Sequence, residues 1–229
     1  MIQRQRPSGG EAVDEGHYWI SISDLMTSLL FIFIIILAYT ILTLTEKSDQ
    51  HKKNVSERTA LLTAIETSLA KEEIDIQAIK KDGIIRLRTD NFFEPSSAEL
   101  SVDGKKTVAI IAKVIQEELE KKDYKEAIDT IFIEGHTDNE PTSMVDGNDG
   151  NMLLSAKRAI NTYATMDEAE HIGEATNHGK SLYSYSGYAA TRPIQCDDQS
   201  SQDCRAKNRR IEFFFALAQP VDPNEKGKE

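Results

Sequence analysis

Asp24 is the residue whose position most directly implies chemistry. It stands immediately before residues 25–45, a stretch without a single charge (LMTSLLFIFIIILAYTILTLT). If Trp19 marks the headgroup level, where tryptophan is enriched, Asp24 lies about 7 Å deeper along a helix. An ionisable side chain at that depth is costly. It usually faces a bundle interior or a water-filled path and marks ion or proton transfer. Ser21, Ser23 and Asp24 are also good capping residues, and an aspartate suits the positive end of a helix dipole. Position alone leaves both readings open, ion carrier and helix N-cap.

The element that must hold Asp24 is the apolar run itself. As a helix it is about 30 Å long, enough for a bilayer core. Residues 32–37 are apolar all round, which leaves no face for water. We read residues 19–45 as a transmembrane helix in the lipid bilayer, behind a tail of residues 1–18. A cleaved signal peptide fits less well. The run is long and starts late, Glu11, Asp14, Glu15 and Asp24 precede it, and no A-x-A site follows. Arg4 and Arg6 lie before the helix, and Lys47, Lys52, Lys53 and Arg58 after it, so the positive-inside count alone places the C-terminal part in the cytoplasm.

Residues 46–82 are polar and charged, with Leu61, Leu62, Ile65 and Leu69 at helical spacing. They read as a connector, either a helix or helix pair that self-associates, or a solvated linker. Asp82-Gly83 signals a turn. Residues 84–218 then alternate. Strands are predicted at 84–88, 128–134, 182–188 and 210–217. Amphipathic helices are predicted at 102–122, with Val108, Ile111, Ala112, Ile115 and Leu119 on one stripe, and at 151–166. The order β-α-β-α-β-β predicts an α/β domain with a mixed sheet and helices on it. Residues 219–229 read as a polar, disordered tail.

Several classes of chemistry are excluded. The chain holds 27 Lys and Arg against 38 Asp and Glu, a formal charge of −11, so it lacks the basic stripe of a nucleic-acid binder. No P-loop, nucleophile elbow or HExxH is present, so an enzyme acting on covalent bonds is not expected, nor a cofactor. Residues 146–150 fail the EF-hand pattern, with Gly150 at the fifth position and Lys157 at the twelfth. His171 and His178 are not at zinc-ligand spacing to each other or to the cysteines, so no metal is expected.

The segment Trp19-Ile20-Ser21-Ile22-Ser23-Asp24-Leu25-Met26-Thr27, with the Phe-rich run after it, resembles the membrane helix of MotB-type stator subunits. Four further motifs stand in order downstream. Ile133-Glu134-Gly135-His136-Thr137-Asp138 follows a predicted strand. Asn151-Met152-Leu153-Leu154-Ser155-Ala156-Lys157-Arg158-Ala159 opens a helix. Gly187-Tyr188 with Pro193 follows the third strand, and Asn208-Arg209-Arg210-Ile211-Glu212 opens the last. Together they resemble the OmpA-like peptidoglycan-binding domain. The resemblance implies that Asp24 is the ion-carrying carboxylate, with Thr27 one turn on as support. It implies a homodimer of this chain inside a ring of a multi-helix, MotA-like partner. It also implies a peptidoglycan clamp of Asp138 and Arg158, a fixed anion and cation for the ammonium and carboxylates of diaminopimelate. Thr137 and Asn151 would be supporting contacts and Arg209 a wall. The other reading of Asp138, Arg158 and Arg209 is a salt-bridge network that supports loops.

A peptidoglycan-binding domain lies in the periplasm, so the resemblance overrides the Lys and Arg count. It places the N-terminus in the cytoplasm, the helix in the bacterial inner membrane and residues 83–218 in the periplasm. In that oxidising compartment Cys196 and Cys204 are expected to close a short disulfide loop, two free thiols being the alternative. Two features depart from the family pattern: the 139–150 segment is long, and Cys204 stands where a glycine is usual. The short N-terminal tail, richer in acids than bases, and the compact connector look more like B subunits of the Zorya anti-phage defence motor than flagellar ones. A static envelope tether, with Asp24 only a cap, is the rival of a different class.

Overall fold

A computed structural model describes residues 15–89, 92–93, 97–121, 124–142, 150–177, 179–198 and 200–220, with side chains from Trp19 onward. The N-terminal tail before Glu15, residues 143–149 of the long 139–150 segment and the polar tail beyond residue 220 lie outside the described residues. The chain divides into two units, Met1–Ser48 and Asp49–Glu229.

In the first unit the chain is helical from Glu15 onward, within α1 (Glu15–Lys71). This is the one described helix long and apolar enough to cross a membrane. Its large apolar side chains, from Trp19 through Leu44, are exposed on every face. The hydroxyls of Thr27, Thr40 and Thr45 donate to the carbonyls four residues back, at 2.7, 2.7 and 2.8 Å, so each finds a partner inside its own helix. Asp24 does not cap this helix. It sits well inside it, because helical backbone begins at Glu15.

The second unit starts with the distal part of α1, and here one expectation changes. Leu61, Leu62, Ile65 and Leu69 are fully buried, in the same core as the sheet. The stripe is spent on the chain's own domain, neither on self-association nor on a solvated linker. Polar contacts fix it there. Asn54 Nδ2 donates to the Ala218 carbonyl at 3.0 Å, and Arg58 donates to the carbonyls of Phe215 and Lys81 at 3.2 and 3.1 Å. The Arg58 guanidinium lies over Gly83, whose φ of +79° makes the turn between the first two strands.

The sheet comprises β1 (Gln77–Ile79), β2 (Ile84–Arg88), β3 (Ile128–His136), β6 (Tyr183–Gly187) and β7 (Arg210–Leu217), in the order β1-β2-β7-β3-β6. It is mixed, as the alternation predicts: β3 and β6 are parallel and the other pairs antiparallel. The central strand β7 (RIEFFFAL) buries Phe213 and Phe215 fully, and Phe214 stacks on Phe132 at 6.0 Å. Helix α2 (Val102–Glu120) starts at Ser101, whose side chain accepts the Gly104 N–H at 3.0 Å. It packs beside α4 (Gly150–Glu170), which lies on β3 and β6. Sequence periodicity missed the short elements: edge strand β1, α3 (Tyr124–Ala127), the hairpin β4 (Thr176–Asn177) and β5 (Lys180–Ser181), and α5 (Gln202–Asn208).

Two glycines let α4 reach the sheet. Gly135 and Gly187 face each other in the β3–β6 register. A Cβ on Gly135 would strike the Ser155 carbonyl, and one on Gly187 would strike the Ala156 backbone. With no side chain at either position, the α4 backbone rests directly on the sheet, and the Ser155 hydroxyl accepts the Ala189 N–H at 2.9 Å.

Candidate functional site

β3 ends at His136, and Thr137 and Asp138 follow where the strand leaves the sheet. The Thr137 N–H donates to the Ala189 carbonyl at 3.0 Å and its hydroxyl to the Asp138 carbonyl at 2.9 Å. These bonds turn the Asp138 side chain toward α5 and the start of β7. Its Oδ2 accepts Arg209 Nη1 at 2.7 Å and its Oδ1 accepts the Glu140 N–H at 3.3 Å. Asn151, in the first turn of α4, donates from Nδ2 to the carbonyls of Glu140 and Asp138 at 2.8 and 3.4 Å, tying the loop to the helix.

Arg158 lies on α4 one turn after Ser155. Its Nε and Nη2 both donate to the Ser97 carbonyl, at 3.1 and 3.0 Å, and its guanidinium lies 4.7 Å from the centre of the Phe93 ring. Burial lowers its pKa, the nearby Arg209 charge lowers it further, and Asp138 opposes them. The expected residues are therefore brought together, with a different pairing. Asp138 bonds Arg209 directly, while the direct hydrogen bonds of Arg158 go to backbone. The result is one carboxylate bonded to one guanidinium and within electrostatic reach of a second, a local excess of positive charge.

Sequence reasoning passed over the ion pair beside this group. Arg205 Nη1 meets the Glu140 carboxylate. Arg205 and Arg209 are spaced i, i+4, and Asp138 and Glu140 i, i+2, which was the signal available in the sequence. The structure joins Cys196 and Cys204 in a disulfide.

On the opposite sheet face from α4, the strands carry a buried ionic group: Glu134 and His136 on β3, Arg210 and Glu212 on β7. Glu212 Oε1 accepts Arg210 Nε and Arg86 Nε, both at 2.7 Å, and its Oε2 lies 3.5 Å from His136 Nε2. Arg192 Nη1 is 3.6 Å from Glu134 and its guanidinium covers Tyr188, which stacks on His136. Burial works against the charge on Glu212, but His136, Arg210 and Arg86 hold its pKa well below the usual carboxylate range. Burial pushes Glu134 up, against Arg192, and pushes His136 down, against Glu212. Glu134, His136 and Glu212 are grouped closely enough to ligate a metal. However, Arg86, Arg192 and Arg210 already offset both carboxylates, so a divalent cation would add to a positive excess. The group instead holds β3, β7 and the segment after β6 in place under Asp138.

The second unit is thus a mixed sheet backed by helices, with an acid and paired arginines at its loop ends, in a chain that also carries a long apolar helix. Residues 92–209 match the OmpA family, and the chain belongs to it. Over nearly its whole length the chain is similar to the Zorya protein ZorB of Escherichia coli, at 27% identity across 93% of this chain and 92% of that protein. A putative MotB-like protein from Desulfovibrio vulgaris has the same fold, with a TM-score of 0.55 at 21% identity over 75% of this chain and 99% of that one. The periplasmic domain of Helicobacter pylori MotB gives a TM-score of 0.46 at 27% identity, over 62% of this chain and 80% of that one.

Proposed function

We propose that this chain is the B subunit of an ion-driven rotary membrane motor, held to peptidoglycan by its OmpA-family domain and acting in anti-phage defence. Two copies sit inside a ring of a multi-helix, MotA-like partner. The helix crosses the inner membrane with its N-terminus in the cytoplasm and the domain in the periplasm. Asp24 carries the ion, by preference a proton, and Thr27 supports it from the next turn. Asp138 and Arg158, with Thr137, Asn151 and Arg209, hold the peptidoglycan stem.

The observation that carries this reading is Asp24 itself, a carboxylate inside a helix and directly before residues 25–45, which hold no charge and whose large apolar side chains are exposed. A carboxylate there requires a hydrated or protein-lined surrounding, which a partner ring supplies and a lone tether does not. The tether reading drew its account of Asp24 from capping, and the helix leaves that residue no cap to make. The similarity to ZorB along both the helix and the domain supports the motor assignment over an isolated anchor. Neutralising the carboxylate tests it. Asp24→Asn in a complex reconstituted with the ring partner is expected to abolish ion flux, and flux equal to wild type refutes the motor reading.

A further inference from the structure

We propose that α5 is a second jaw of the ligand site, positioned by the Cys196–Cys204 disulfide and by the Glu140–Arg205 ion pair, which together hold Arg209 against Asp138. This inference rests on the peptidoglycan reading of Asp138 and Arg158.

α5 has seven residues, too short to hold its own shape in water. What fixes it is external. Cys204, fully buried in its first turn, is bonded to Cys196. The Asn208 side chain accepts the Ile194 N–H at 2.8 Å through Oδ1 and donates to the Cys204 carbonyl at 2.9 Å through Nδ2. Ser201 caps the helix by accepting the Cys204 N–H at 3.2 Å. The 194–196 segment and α5 are thus joined at both ends of one helical turn.

The next residue after Cys204 is Arg205, and its carbonyl accepts the Arg209 N–H at 3.0 Å. The two guanidiniums reach the same loop, Arg205 to Glu140 and Arg209 to Asp138. Asn151 spans the two carbonyls of that loop from α4. The outcome is a two-rung ladder between α5 and the Asp138 loop. Its outer rung is solvent-exposed, with Glu140 at 60% and Arg205 at 31%. A pair that open contributes little to stability. Its effect is on geometry: it fixes where the inner rung, Asp138–Arg209, stands before a ligand arrives. Prepositioning of this kind lowers the ordering cost of binding. Arg158, Arg205 and Arg209 against Asp138 and Glu140 also give the site one net positive charge, favouring ligands that bear carboxylates.

The test is binding of full-length chain in detergent to purified sacculi of diaminopimelate type. Cys196→Ser/Cys204→Ser is expected to weaken binding about ten-fold and Arg205→Gln about three-fold. Amide exchange in β3 and β7 should stay as in wild type, which separates positioning from unfolding. Arg205→Gln in the cysteine-free background should add less than two-fold, because both changes release the same jaw. Asp138→Ala is the control for the underlying reading. If it loses binding while the cysteine and Arg205 variants bind like wild type, the jaw is refuted and the clamp stands. If Asp138→Ala itself binds like wild type, the clamp fails and the jaw with it.

Discussion

Replacing Gly187 by alanine measures how far the ligand site depends on the contact between α4 and the sheet. A Cβ there would lie 2.6 Å from Ala156 Cα and 2.7 Å from Ser155 Oγ, and closer still to the Ala156 nitrogen. Ordinary contact begins near 3.4 Å, so α4 has to retreat by about 1 Å. Two of the three obstacles are helix backbone and cannot rotate aside. Overpacking of this kind costs about 1–3 kcal/mol. The retreat also pulls the Ser155 hydroxyl from the Ala189 N–H, and a buried amide left without a partner costs about 1–3 kcal/mol more. The two overlap, so we expect a loss of about 2–4 kcal/mol.

The only tryptophan is Trp19, in the apolar helix, so tryptophan fluorescence does not report on the domain. Amide exchange does. In full-length chain in detergent, the slowest amides of α4 and β6 should exchange roughly 30- to 1,000-fold faster, the same free energy read as an opening constant. Arg158 moves with α4, so sacculus binding should fall as well. Gly179→Ala is the comparison. Nothing lies within 4 Å of its Cβ, and only its φ of +72° is strained. Its cost should stay near 1–2 kcal/mol, without loss of binding. Exchange in Gly187→Ala within three-fold of wild type would refute the packing argument.

Two further outcomes follow from buried groups. His136 resists protonation in the fold, so the unfolded chain binds the extra proton as pH falls through about 6.5, and stability drops there by up to about 1.4 kcal/mol per pH unit. Glu134, with its pKa raised, acts in the opposite sense, and Glu212 costs stability only once pH falls below the ordinary glutamate range. The difference in urea midpoint between wild type and His136→Asn, followed by near-UV circular dichroism, should therefore narrow from pH 7 to pH 5.5; parallel curves would count against a buried neutral histidine. Ile65→Ala should cost about 2–5 kcal/mol, since Ile65 is fully buried, against less than about 0.5 kcal/mol for exposed Thr63→Ala. Equal effects at the two positions would mean that the distal part of α1 is a linker after all.

What could be read from the sequence follows from how far each interaction reaches along the chain. The membrane helix, α2 and the long strands announce themselves because their buried faces repeat over many residues. β1 has three residues, too few for alternation to register, and its place is set by pairing with β2. α5 has no apolar stripe, and a disulfide and Asn208 supply what its own residues do not. The apolar stripe of the connector was visible, but periodicity says that a face is covered and not by what; the core of the domain, far along the chain, supplies the cover. Asp24 shows the opposite failure. Ser21, Ser23 and Asp24 are local cap signals, and a local signal is overruled when helical backbone already runs through it from Glu15. The site combines both lessons. Motifs bring Asp138, Arg158 and Arg209 to one place, but which arginine takes the carboxylate depends on Ser97 and Phe93, which hold the Arg158 side chain, and on α5, which offers Arg209. Identity of the residues is local information, whereas the pairing is decided by contacts some 60 to 70 residues apart in sequence.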